Sequence, residues 1–172
     1  MRLSLKILFI LIIQFLLLIP TLSTAESFTV TYVDDGDTII CENSDMTIRV
    51  RLAGIDAPET ARDKKDEGQP FSREAKEVLK KLILDKVVDV KGYGLDDYNR
   101  LLAVISLNGR NINLEMVQQG MAEAYIGKPP SGFDIQPYKK AEKEARGVLS
   151  GIWSQGDKYI RPSKWRKTRP ED

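Results

Sequence analysis

A chain of 172 residues with 26 basic and 25 acidic side chains holds one ordinary domain plus short flanking segments, and its overall charge points to no polyanionic partner. It has no histidine, which excludes Ser-His-Asp and Cys-His catalysis, a histidine general base and every histidine-ligated metal. The lone cysteine, Cys41, excludes an intrachain disulfide and a multi-thiolate zinc site, so any chemistry falls to carboxylates, Arg, Lys and Tyr, with or without a hard metal.

Arg2 and Lys6 precede an uncharged run over residues 7–25, rich in Leu, Ile and Phe as far as Ile19 and ending in Pro20 and the small residues Ser23, Thr24 and Ala25. This is the layout of a secretory signal peptide over residues 1–25, with cleavage expected before Glu26. Read instead as an uncleaved anchor, the run is close to the minimum length of a membrane span. Export, to the medium or a periplasm, is the expectation. A single cysteine suits an exported protein that does not use disulfides for stability.

Residues 28–33 alternate β-branched and aromatic side chains and predict a strand. Asp35-Gly36 predicts a hairpin turn, and residues 37–41 a second strand. A third is predicted over 46–55, with Ile48, Val50 and Leu52 on one face and Arg49 and Arg51 on the other, ended by Ala57-Pro58. A charged loop over 60–69 leads to a helix over 70–84, where Ala75, Val78, Leu79, Leu82 and Ile83 recur at helical spacing. Strands are predicted over 86–90 and 100–107, joined by a loop over 92–99. A short helix over 113–119 stops at Gly120, a left-handed cap, and a last helix covers 137–148 after a rigid loop over 127–134. Five short strands with a helix after the third match the order of an OB-type barrel, although periodicity alone fits a generic α+β sandwich nearly as well. Residues 26–157 carry 18 basic and 23 acidic side chains, whereas Lys158, Arg161, Lys164, Arg166, Lys167 and Arg169 follow without an acid until the last two residues. The basic tail, 155–172, has two readings. It is a solvated or loosely docked extension, or an arm that displaces counterions from nucleic acid.

Four polar residues stand at the strand ends. Asp37 opens the second strand, Arg51 lies in the third, and Asp56 and Glu59 flank the proline that closes it. Taken singly, each has an ordinary reading as turn former, cap or surface ion pair. Taken together, three carboxylates without histidine or thiolate form an oxygen-rich set suited to Ca²⁺, Mg²⁺ or Mn²⁺, and Arg51 and Arg100 each offer a fork that grips two phosphoryl oxygens.

Val33-Asp34-Asp35-Gly36-Asp37-Thr38, Arg51-Leu52-Ala53-Gly54-Ile55-Asp56-Ala57-Pro58-Glu59-Thr60 and Asp97-Tyr98-Asn99-Arg100 resemble the signature blocks of the staphylococcal nuclease (thermonuclease) family, and Gly151-Ile152-Trp153 resembles its C-terminal boundary. The resemblance covers residues 28–154 and implies an α+β, mainly β fold: a five-stranded OB barrel with three helices. It implies that Asp37, Asp56 and the backbone carbonyl of Ala57 bind calcium. Glu59 would position or deprotonate the attacking water, Arg51 and Arg100 would bind phosphate, and Tyr98 and Tyr125 would line the nucleotide pocket. Two departures concern substrate binding. Asp97 stands where the best-known member has a lysine, and the segment 121–128 is one residue shorter, with Gly127 in place of a pocket aromatic.

The expected function is therefore a Ca²⁺-dependent, sugar-non-specific nuclease acting on DNA and RNA, single strands preferred, and by resemblance leaving 3′-phosphate ends. It is expected to be monomeric, without a stable protein partner, and to meet a membrane only through an uncleaved leader. A non-catalytic OB-type module binding nucleic acid or protein is the alternative, since a fold alone does not decide function. A third reading is an enzyme of another phosphodiester or of polyphosphate.

Overall fold

The computed structural model describes residues 26–61, 63 and 66–168. The expected leader and the last four residues of the basic tail lie outside the described residues.

In chain order the elements are β1 (Glu26–Val33), β2 (Thr38–Glu42), β3 (Thr47–Leu52), β4 (Ile55–Asp56), α1 (Ser72–Ile83), β5 (Val87–Leu95), β6 (Leu101–Leu107), β7 (Arg110–Asn111), α2 (Ile112–Gln118), β8 (Glu123–Ala124) and α3 (Gln136–Gly147), then a 3-10 stretch, Gly151–Lys158, and α4 (Pro162–Thr168). The main sheet runs β3-β2-β1-β5-β6, with β7 appended, and a parallel pairing of β3 with β6 closes it into a barrel. Closure removes exposed strand edges, which a small sheet otherwise has to protect. The expected five-stranded OB-type barrel with helices is borne out.

Alternation in the strands turns Val30, Val33, Ile39, Cys41, Val50, Leu52, Val88 and Ile105 into the barrel core. Helix α1 covers one end with Ala75, Leu79 and Ile83, spaced four apart on one face, and α2 contributes Ile112, Met116 and Val117. Asn111 caps α2, its side chain accepting from the Leu114 amide at 3.0 Å. Asn113 is wholly buried and fully satisfied. It accepts from the Ile105 amide at 3.0 Å and donates to the carbonyls of Ala53 and Ala103, both at 2.9 Å. One amide thus bolts the end of β3 to β6 inside an apolar core, where each unpaired polar group would be costly.

The expected third strand does not continue through residue 55. Gly54 has φ 82 and breaks it, and a Cβ there would stand 2.4 Å from Cζ of Phe133. The chain therefore turns at Ala53-Gly54, and Ile55–Asp56 leaves the barrel to pair with β8, Asp56 opposite Glu123. The expected helices correspond to α1, α2 and α3. A fourth helix, α4, forms within the segment read as a tail. Trp153 and Tyr159 meet edge to face with ring centroids 4.6 Å apart, and Ile152, Trp153 and Ala145 form a small second core with Phe71 and Tyr159 packed against it. Gln69 Nε2 donates to the Ile160 carbonyl at 2.6 Å, and Pro162 is buried. Residues 155–162, the start of the expected tail, are therefore docked on the body and do not form a solvated or loosely docked extension.

Candidate active site

The hairpin β2–β3 and the turn after it bring the first three site residues together. Thr38 pairs with Arg51 in the antiparallel register, so Asp37, just ahead of β2, lies beside the Arg51 side chain. Arg51 Nη1 donates to Asp37 Oδ1 at 2.5 Å and Nη2 to Asp56 Oδ1 at 2.7 Å. The other Asp37 oxygen accepts from the Ala57 amide at 2.8 Å. Gly36 makes this approach possible, because a Cβ there would meet Ala57 Cβ at 2.7 Å and Ala75 Cβ at 2.8 Å.

Asp37 and Asp56 are both almost wholly buried, and one guanidinium serves both. Burial accordingly pushes the Asp37 carboxyl up to about 7, more than Arg51 can offset. Burial works against the Arg51 cation, but Asp37 and Asp56 outweigh it and hold the proton more firmly. Asp35, whose Oδ1 accepts from the Asp37 amide at 2.8 Å, is also raised by burial.

Glu59 sits beyond Pro58, half-buried, with its amide donating to Gln69 Oε1 at 3.1 Å while the Gln69 amide donates to its carbonyl at 2.8 Å. This closes the charged loop at its neck and holds Glu59 near Asp56. Burial raises its carboxyl above the ordinary range, against the pull of Arg166.

Parallel pairing of β3 with β6 sets Arg51 opposite Leu102 and carries Arg100 to the same mouth of the barrel. Its guanidinium is not on the carboxylates of Asp37 or Asp56. It is anchored by Asp96, with Nε donating to Oδ2 at 2.8 Å, and Nη1 reaches Thr38 Oγ1 at 3.5 Å. The exposed Tyr98 ring lies 5.4 Å from that guanidinium. An open cleft of about 550 Å³ is lined by Arg51, Glu59, Tyr98, Arg100, Tyr125 and Arg166, among others. Asp97, the acid that stands where the best-known family member has a lysine, lines it as well.

Arg166 is the residue that the sequence did not place. From α4, Nη1 and Nη2 donate to the two oxygens of Asp56, each at 3.0 Å, and Nη1 also donates to Glu59 Oε1. Burial opposes the Arg166 cation, but Asp56 and Glu59 outweigh it. Glu123 is a second unanticipated group. It is fully buried beneath Asp56, accepts from Tyr159 Oη at 2.8 Å and lies 3.3 Å from Arg161 Nη1, and burial pushes its carboxyl up to about 7.

The donor set suits a hard divalent cation: Asp37, Asp56 and Glu59 supply oxygen only, and Asp37 is under-compensated by Arg51 alone. Among the described residues, however, no three acids converge as a ready-made metal site. The guanidinium of Arg166 bridges two of the carboxylates instead.

The sequence model of the staphylococcal nuclease homologue family matches residues 49–155, more than half of the chain and spanning most of this site. The chain belongs to the staphylococcal nuclease family. It is 41% identical over 144 residues to a micrococcal nuclease of Shigella flexneri, covering 77% of this chain and 76% of that protein. It is 40% identical over 136 residues to an uncharacterized endonuclease of Haemophilus influenzae, covering 78% of this chain and 70% of that protein. A probable endonuclease LCL3 of Candida dubliniensis is 33% identical over 129 residues, and there the match spans 54% of the relative's length. Arg51, Asp56, Ala57, Glu59, Tyr98, Arg100 and Tyr125 fall inside the matched region, whereas Asp37 precedes it. Arg166 lies beyond its end.

Proposed function

We propose that this protein is a Ca²⁺-dependent, sugar-non-specific nuclease that hydrolyses phosphodiester bonds of DNA and RNA, prefers single strands and leaves 3′-phosphate ends. It works as an exported monomer, directed by residues 1–25. The observation that carries the reading is Arg51, bonded to both Asp37 and Asp56 at the floor of an open cleft that Glu59 and Arg100 also line.

Phosphodiester hydrolysis is very slow in water, so the site has to stabilise charge developing on phosphorus and supply a nucleophile. Arg51 in β3 and Arg100 just ahead of β6 present guanidinium forks held by Asp37 and Asp56 and by Asp96, and interact most strongly when the phosphoryl oxygens are most negative. Glu59 carries a raised carboxyl, which makes Oε1 and Oε2 better proton acceptors for an attacking water. The water oxygen bonds to phosphorus, its proton passes to Glu59, the P–O5′ bond breaks, and the departing 5′ oxygen takes a proton from solvent water, leaving a 5′-hydroxyl and a 3′-phosphate. Asp37, Asp56 and the Ala57 carbonyl are the groups that would hold a calcium ion, which when bound would supply Lewis-acid charge for a phosphoryl oxygen. Tyr98 and Tyr125 offer rings on which bases stack without regard to the sugar.

The test is release of acid-soluble nucleotides from single-stranded DNA by the purified protein, with calcium and with chelator, beside Arg51→Ala and Glu59→Ala. Calcium-dependent release that disappears in both variants is expected. DNA binding without release under Ca²⁺, Mg²⁺ or Mn²⁺ would make the protein a non-catalytic binding module.

A further inference from the structure

We propose that Arg166 of α4 is a tethered competitor for the divalent cation, occupying the Asp56 and Glu59 carboxylates when the metal is absent and giving them up when it binds. The inference rests on the cation reading of the site given above.

The geometry is that of a built contact. Three charge-assisted donations run from one guanidinium to two carboxylates, two of them as a parallel fork on Asp56. Asp56 Oδ1 already accepts from Arg51, so Arg166 occupies acceptor sites on the oxygens a cation would need. A cation coordinated by Asp56 and a guanidinium forked across both of its oxygens compete for the same acceptor sites.

Placement of Arg166 is arranged by the segment before it. Tyr159 Oη donates to the buried Glu123, Gln69 Nε2 holds the Ile160 carbonyl, and Pro162 is buried at the start of the helix. Gln69 also receives the Glu59 amide, so the loop bearing Glu59 and the start of α4 share one side chain. A helix of seven residues does not hold itself in water. Its beginning is anchored, whereas the Arg166 side chain remains 37% exposed. Release of Arg166 removes the contact that holds the last turn of α4, which can then fray while residues 159–162 stay docked.

The energetic consequence has a definite sign. If the docked state is favoured about tenfold, the apparent calcium affinity is about tenfold weaker than that of the open site. By linkage, calcium in turn weakens docking, and saturating calcium displaces Arg166 from the carboxylates. Loss of a structural residue would instead weaken metal binding, so the direction separates the two roles.

The experiment is calorimetric titration of the purified protein with calcium chloride, for wild type, Arg166→Ala and Arg166→Lys, with circular dichroism to confirm each fold. Arg166→Ala is expected to bind calcium about tenfold more tightly, and Arg166→Lys, which keeps the charge but loses the fork, to fall between. Amide exchange over residues 163–168 of wild type should accelerate on saturation with calcium. Equal or weaker binding by Arg166→Ala, or unchanged exchange, overturns the competition and leaves the nuclease reading standing. Absence of calcium binding in every variant overturns the competition together with the cation reading.

Discussion

Replacing Glu123 by Gln should make stability depend less on pH, in a direction and size that the structure sets. Glu123 is fully buried on β8, its Oε2 accepting from Tyr159 Oη, and its Oε1 has no hydrogen-bond partner among the described residues. Burial lifts its carboxyl from the ordinary 4.5 to about 7 despite Tyr159 and Arg161. The folded state therefore binds the proton more tightly than the unfolded chain, and wild-type stability falls as pH rises from about 4.5 through 7. At roughly 1.4 kcal/mol per pH unit, the full penalty approaches about 3 kcal/mol above pH 8 and is under about 1 kcal/mol at pH 5. Glutamine keeps an acceptor for Tyr159 and carries no charge. Its costs are about 1 kcal/mol for the half-exposed Arg161 pair and about 1 kcal/mol for an unpaired amide, and neither varies with pH over this range. The stability of Glu123→Gln relative to wild type should thus rise by about 2 to 3 kcal/mol between pH 5 and 8.5. Urea unfolding in chelator, followed by tryptophan fluorescence, measures it, because Trp153 packs edge to face against the same Tyr159. Asp37, also pushed up to about 7, is common to both proteins and cancels in the difference. Parallel stability curves, or a difference running the other way, would refute the reasoning.

Asn113→Ala removes three hydrogen bonds and orphans the buried Ile105 amide and Ala53 carbonyl, so it should lower stability by about 3 kcal/mol in urea unfolding. A loss under about 1 kcal/mol would mean that the core closes over these groups without needing the bolt. Gly36→Ala places a methyl 2.7 Å from Ala57 Cβ and 2.8 Å from Ala75 Cβ, forcing the Asp37–Ala57 contact apart. Its cleavage rate on single-stranded DNA, measured well below its unfolding temperature, should fall by about 10- to 100-fold. A wild-type rate would show that the spacing of Asp37 and Ala57 is not critical.

Much of the barrel was legible because its signals are local. Alternation over 28–33 and 47–52, the Asp-Gly turn, and the helical spacing of Ala75, Leu79 and Ile83 each depend on residues a few positions apart. The break at Gly54 was not legible, because it depends on Phe133, some eighty residues away, packing where a Cβ would be. Strands β4, β7 and β8 have two residues each, too few to show any period.

The candidate site divides in the same way. Asp37, Arg51, Asp56 and Glu59 lie within 23 residues on a hairpin and its exit, so register and strand ends bring them together from chemistry written in one stretch of sequence. Arg100 joins them only through the parallel closure of β3 with β6, and Asp96 holds it there. Arg166 comes from 107 residues beyond Glu59, in a stretch whose composition says only that it is basic. Composition determines that such a segment is attracted to acids. Which acids it reaches was decided by Tyr159, Gln69 and Pro162, buried contacts that exist only once the barrel has closed and given them a surface to dock on.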